Sequence, residues 1–229
     1  MHRLILAILL MAAGSATVSA AEGVPYGESV VFSAFRNGQP IGTHALAFQQ
    51  QGGQLIVSTS IDFAVRVLGI TAYRYSHRSR EIWSGDDLQS LTTLTEDDGK
   101  HYAVRARQEG NGLVVERETP GAVVNDQGLQ RGGPIRETLP SGILPSTHWN
   151  MKQTRQSQLL NSQKGTLERI EVVRVGRETV KTVAGTVDAT RYSYSGGIRM
   201  DQWFDDRGRW VKSLFVASDG STIEYLLQE

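Results

Sequence analysis

The sequence predicts an all-β protein, about twelve antiparallel strands in a meander that coils into a strongly curved sheet, β-roll or open barrel. Three observations carry this. Apolar and polar residues alternate with period two along most of the chain, as half-buried strands require. Turn pairs recur at short intervals, among them Asn37-Gly38, Gly52-Gly53, Asp98-Gly99 and Asp219-Gly220. Met151 to Asn161 lacks glycine and proline and carries Gln, Lys, Arg and Leu, which makes it the best helix candidate, so one short helix is expected near 151–161, with Asn150 as a candidate N-cap.

Taken in order, Ser29–Phe35 and Thr43–Gln49 form the first hairpin, because both Asn37 and Gly38 tolerate the positive φ of a type I′ turn. A long β-branched run, Gln54–Leu68, ends at Gly69. Strands follow at 70–77, 80–83, 88–95, 101–108 and 113–118. From Thr119 the rhythm breaks under repeated glycine and proline, and 119–164 reads as a long connection between two β halves, about 29–118 and 165–228. Strands resume at 166–175, 178–183, 186–195, 198–204, 209–217 and 222–227, with Gly176 read as a turn.

The N-terminus has the three parts of a secretory signal peptide. Met1-His2-Arg3 is basic, Leu4–Ala13 is apolar, and the small residues Val18 and Ala20 suit cleavage after Ala20. Residues 1–20 are therefore expected to be removed, leaving 21–229 as a single all-β domain, soluble and exported to the periplasm. Cysteine is absent, which excludes disulfides and thiolate chemistry. Lysine plus arginine and aspartate plus glutamate both total 24, so nothing in the overall balance marks a nucleic-acid partner or an anionic membrane surface.

No complete catalytic, metal or cofactor motif is present. The histidines after the leader, His44, His77, His101 and His148, have no metal-ligand spacing, and no serine sits in a nucleophile elbow. The paired aspartates lie beside glycines, where turn geometry explains them. The strand Thr71-Ala-Tyr-Arg-Tyr-Ser-His is more suggestive, because Tyr73, Tyr75 and His77 share one face, with Glu81 and Trp83 close behind. Tyr192 and Tyr194 repeat the same-face pattern, and Trp203 follows. In Leu144-Pro-Ser-Thr-His-Trp-Asn150, His148 and Trp149 admit two readings: Trp149 plugs one end of the sheet with Thr147 or Asn150 capping the next helix, or the loop faces a ligand.

Several stretches resemble an exported Gram-negative family known only as a domain of unknown function. They are Gly38-Gln-Pro-Ile-Gly-Thr-His44, Thr71-Ala-Tyr-Arg-Tyr-Ser-His77, Glu81-Ile-Trp-Ser-Gly85, Thr95-Glu-Asp-Asp-Gly99, Trp149-Asn150 and Trp203-Phe-Asp-Asp-Arg-Gly-Arg-Trp-Val211. The resemblance, similar in outline to other exported β-roll families, implies a periplasmic all-β domain and transfers no catalytic residue. The expected function is a noncatalytic binding or carrier module for an envelope lipid, acyl chain or glycan, using Tyr73, Tyr75, His77, Glu81, Trp83, His148, Trp149, Tyr192, Tyr194 and Trp203. A hydrolase pairing His77 or His148 with Glu81 or an aspartate, and a scaffold pairing through a sheet edge, are the alternatives.

Overall fold

The computed structural model describes residues 24–118, 122–125, 128–131 and 134–229, so the leader expected at 1–20 and its expected cleavage point lie outside the described residues. Strands β1 (Ser29–Arg36), β2 (Gln39–Gln51), β3 (Gln54–Val67), β4 (Ile70–Ser84), β5 (Asp87–Asp97), β6 (Lys100–Glu109) and β7 (Gly112–Glu118) form a meander. The short strands β8 (Ala122–Asn125) and β9 (Gly128–Arg131) pair only with each other. Next come β10 (Ile135–Pro140), β11 (Leu144–Pro145) and β12 (Gln158–Leu160). The second meander is β13 (Leu167–Lys181), β14 (Thr186–Gly196), β15 (Met200–Asp205), β16 (Trp210–Val216) and β17 (Thr222–Leu227).

One 15-stranded sheet holds all but β8 and β9, in the order β10-β7-β6-β5-β4-β3-β2-β1-β17-β16-β15-β14-β13-β12-β11. The two meanders are joined through β1 and β17, in the register Phe32 opposite Leu227. Every pairing is antiparallel except β11 with β12. The edge strands β10 and β11 are separated by residues 141–143 alone, and three residues span at most roughly 15 Å. The two edges must therefore lie near one another, which curls the sheet into an open barrel.

Three features depart from the sequence reading. The expected helix is a five-residue 3₁₀ turn, Met151–Arg155, and β12 begins within the span assigned to it. Asn150 does cap it, its side chain accepting from the Lys152 N–H at 3.0 Å. The connection 119–164, expected to be irregular, contributes five strands beyond the twelve of the two meanders. Finally, Gly176 is no turn: β13 runs through it with a bulge between Arg174 and Gly176, and β4 likewise runs unbroken across 78–79.

The turn chemistry is realised as expected. Asn37 and Gly38 have φ of 48° and 78°, and Asp98 and Gly99 have 48° and 80°. A third pair, Leu68-Gly69, takes the same backbone at 52° and 82°. Leucine has no side-chain means of easing that conformation, which costs about 1 kcal/mol or more. Antiparallel order places Asn37-Gly38, Leu68-Gly69 and Asp98-Gly99 at one end of the barrel. Gly52-Gly53, Gly85-Asp86 and Arg207-Gly208 lie at the other.

The interior is closed by the chain itself. Trp83, Trp210, Phe32 and Phe204 are fully buried from the sheet, and Ile143, Leu144, Trp149, Leu159 and Leu160 meet them from the 141–166 segment. That segment is an internal plug. No helix among the described residues is long and apolar enough to cross a membrane.

Candidate functional site

Alternation along β4 turns Tyr75, His77, Ser79 and Glu81 inward, and register extends each position into a rung across neighbouring strands. One rung runs His44, Ile61, His77, Thr95, and another runs Phe48, Val57, Glu81, Leu91. The plug lays His148 and Trp149 over these rungs.

Glu81 is the central acid. It is 0% exposed, and its Oε2 accepts from Trp83 Nε1 at 2.8 Å and from Trp149 Nε1 at 3.1 Å. The two indoles meet edge to face at 5.5 Å. Burial pushes the Glu81 pKa up to about 7, opposed by its contacts with Trp149, Trp83 and Thr147. Its Oε1 makes no hydrogen bond of good geometry, although the Thr147 hydroxyl is near enough to favour the ionised form.

Three histidines come together two rungs away from it. The His44 and His148 rings lie 6.3 Å apart, and each is close to Trp210. His77 Nδ1 is 2.7 Å from the Thr95 hydroxyl, whereas both His44 nitrogens and His148 Nδ1 have no hydrogen-bond partner. Burial lowers all three: His77 and His148 to about 4, with Arg78 adding to the effect on His77 and His77 to that on His148, and His44 well below the usual imidazole range. They are neutral imidazoles at physiological pH. Among the described residues, no group of three or more His, Asp or Glu is placed to hold a metal ion.

The other residues singled out in the sequence are dispersed. The Tyr73 hydroxyl donates to Asp97 at 2.7 Å, and Tyr75 stacks on Phe63 with its hydroxyl 3.2 Å from Gln163. Tyr192 and Tyr194 lie in β14, where Tyr192 meets Phe204 edge to face and Tyr194 is buried with its hydroxyl unpartnered. Trp203 does not join them. Tyr192 pairs with Gln202, so the next residue along β15 points to the opposite face. There the Trp203 ring lies between Arg191 and Lys212, at 5.4 and 5.1 Å, and its indole donates to Glu178 at 2.6 Å.

Among the residues not singled out from sequence are Tyr26, Gln153 and Gln202, which fix the plug, and His44 beneath it. The Tyr26 hydroxyl donates to the Trp149 carbonyl at 2.6 Å and accepts from the Trp210 N–H at 2.7 Å. Gln153 Nε2 donates to the His148 carbonyl and to Gln202 Oε1, at 3.0 and 3.1 Å. His44 carried a legible signal, since it is two residues before Leu46 and four before Phe48 on an inward face. Tyr26, Gln153 and Gln202 carried none.

At the Gly52-Gly53 end, a recess of about 500 Å³ opens above Trp83 and Trp149. Its lining includes Gln50, Asn150, Met151 and Arg207, with the ion-paired Lys152 and Asp86 on the rim. The recess offers hydrogen-bonding groups of both signs above the edges of two nearly fully buried indoles, Trp83 and Trp149.

The family described as a domain of unknown function (DUF6134) matches residues 32–228, which takes in every strand from most of β1 to β17. The chain belongs to the DUF6134 family. No curated protein matches this DUF6134 chain in sequence. Among solved structures it is similar to a beta-barrel-like protein of another domain of unknown function, DUF1849, from Brucella abortus. The two share 12% identity over 87% of this chain and 94% of the other, with a TM-score of 0.58. At that identity the likeness speaks for the barrel-like fold of the DUF6134 chain alone.

Proposed function

We propose that this DUF6134 protein is an exported, noncatalytic binding module of the cell envelope that takes a polar, glycan-class ligand at the recess above Trp83 and Trp149. The recess is the observation that carries this reading. Its size suits one or two sugar rings, its floor has indole edges, and Asn150, Arg207 and the ion-paired Lys152 and Asp86 can bond hydroxyls. An acyl chain is a poorer fit, because the interior is occupied by the plug.

The alternatives have less to support them. A hydrolase needs a histidine within hydrogen-bond reach of a carboxylate. His77 instead contacts Thr95, and His148 Nδ1 has no partner. A scaffold pairing through the terminal strands would use β10 and the two-residue β11, both short and each containing a proline, which blunts strand addition; β13 beyond Arg169 is a longer edge that β12 does not cover.

Two measurements test the proposal. Calorimetric titration with chitin oligosaccharides and with lipopolysaccharide core oligosaccharide, alongside a long-chain fatty acid, should give binding to a saccharide that Asn150→Ala with Lys152→Ala weakens. Binding of the fatty acid alone would sink it. Export is checked by N-terminal sequencing of the protein from a periplasmic extract, which should begin at Ala21.

A further inference from the structure

The β3–β4 hairpin outruns its neighbours. β2 pairs with β3 only as far as Gly42 opposite Phe63, and β5 reaches β4 at Asp97 opposite Tyr75, with one more hydrogen bond from the Asp98 N–H to the Arg74 carbonyl. Residues 64–73 therefore form a two-stranded ribbon beyond the sheet. Its tip is apolar: Val67 is 55%, Leu68 98% and Ile70 73% exposed.

The turn residue is the informative one. The hairpins at 37–38, 52–53 and 98–99 use Asn-Gly, Gly-Gly and Asp-Gly, which the left-handed backbone accepts readily. Here the same backbone carries leucine, strained and with its side chain in open water. Among the described residues nothing covers that side chain. The chemistry around the tip is layered as well. Behind the apolar residues come exposed Arg66 and Arg74, no acidic residue occurs from Phe63 to Arg80, and the rings of Tyr73 and Tyr75 lie at the ribbon's base. Of the nearest acids, Asp97 is bonded by Tyr73 and Gln163 and Asp62 is paired with Arg78, while exposed Glu96 and Asp98 stand beside Ser76 and Arg74 at the ribbon's base, behind the collar.

We propose that this tip dips into the surface of an anionic phospholipid bilayer, with Leu68 and its neighbours entering the acyl boundary and Arg66 and Arg74 meeting the headgroups. Apolar tip, cationic collar and aromatic base follow the order of a bilayer interface from inside to outside. Such a small apolar area gives weak, reversible attachment, strengthened by anionic lipid and weakened by salt. It also leaves the recess at the opposite end of the barrel facing away from the membrane.

Flotation of the purified protein with vesicles of phosphatidylcholine alone, or mixed with phosphatidylglycerol, tests this. The wild type should float with the mixed vesicles and dissociate as salt is raised. Leu68→Asn, which supplies the residue the turn prefers, should keep or raise the unfolding midpoint while lowering vesicle affinity by about tenfold or more. Arg66→Gln with Arg74→Gln should remove the preference for phosphatidylglycerol. Asn150→Ala with Lys152→Ala should leave flotation unchanged, which separates this proposal from the glycan reading. The idea is overturned if the wild type floats with neither vesicle or if Leu68→Asn floats as well as wild type. Sedimentation showing a lipid-free dimer that Leu68→Asn dissolves would overturn it in favour of a second copy of the chain.

Discussion

Glu81→Gln should stabilise the protein at pH 8 and do little at pH 4.5. The carboxyl is fully buried, and burial raises its pKa from 4.5 to about 7. An unfolded chain releases this proton near pH 4.5, whereas the folded protein holds it until near pH 7. Its contribution to stability is thus fully present below pH 4.5 and is lost as pH rises through 7. The difference between the two values is worth about 3 kcal/mol.

Glutamine keeps a carbonyl oxygen for the Trp83 and Trp149 indoles, removes the titration and can offer its amide to the nearby Thr147 hydroxyl. Urea unfolding of both proteins at pH 4.5, 6, 7 and 8, followed by tryptophan fluorescence, isolates the effect, because the histidines titrate alike in the two and cancel. The variant should gain about 2–3 kcal/mol by pH 8, with an unchanged denaturant slope. A stability difference that is flat across this range would refute the reasoning. So would a variant that is weakest at pH 8, since that would mean the ionised carboxylate is the favoured buried form.

Three further outcomes are expected. His77 is lowered by burial to about 4, so its contribution is lost as pH falls from 6.5 through 4, and His77→Gln should flatten urea stability across that window by about 3 kcal/mol. Tyr26→Phe strands the Trp149 carbonyl and the Trp210 N–H, and should cost about 2–4 kcal/mol in equilibrium unfolding. Gly42→Ala would place a Cβ 1.9 Å from the Asp62 carbonyl oxygen, prising β2 from β3. A loss of about 3 kcal/mol or more should follow, seen as a lower thermal midpoint, and a wild-type midpoint would show that the strands do not approach so closely.

The two meanders were legible because alternation and turn pairs are local signals, and β1–β7 and β13–β17 follow them. Gly176 misled because a bulge and a turn both interrupt alternation, and only pairing with the neighbouring strand tells them apart. Across 78–79 the register is regular, and the polar run from Ser76 to Arg80 hid an unbroken strand. The strands of 119–164 were hidden because β11 and β12 are too short to show a period. The same-face placement of Tyr73, Tyr75 and His77 was correct, as period two requires. Trp203 was grouped with Tyr192 and Tyr194, yet it is an odd number of positions from the inward Gln202. The meeting of Glu81 with Trp149 could not be read at all, since it depends on the plug's path through the barrel.

That path explains why the interior is so polar. A curled sheet of this many strands is too wide for its side chains alone to fill, and the filler is irregular chain whose N–H and C=O groups enter with it. The Tyr26 hydroxyl to Trp149, the Thr93 hydroxyl to Ser162, the Gln153 amide to His148 and the Arg117 guanidinium to Gly165 each satisfy a plug carbonyl from a side chain. Buried threonine, glutamine and tyrosine in a barrel thus follow from the plug and need no reaction to account for them. His44, Thr59 and Ser79 fall outside this explanation, since all three are buried and lack partners. They occupy two successive inward rungs on β2, β3 and β4, so the least complete part of the packing is also where a histidine must stay neutral. Acid should therefore loosen the barrel from these rungs, before the hairpin turns at either end are touched.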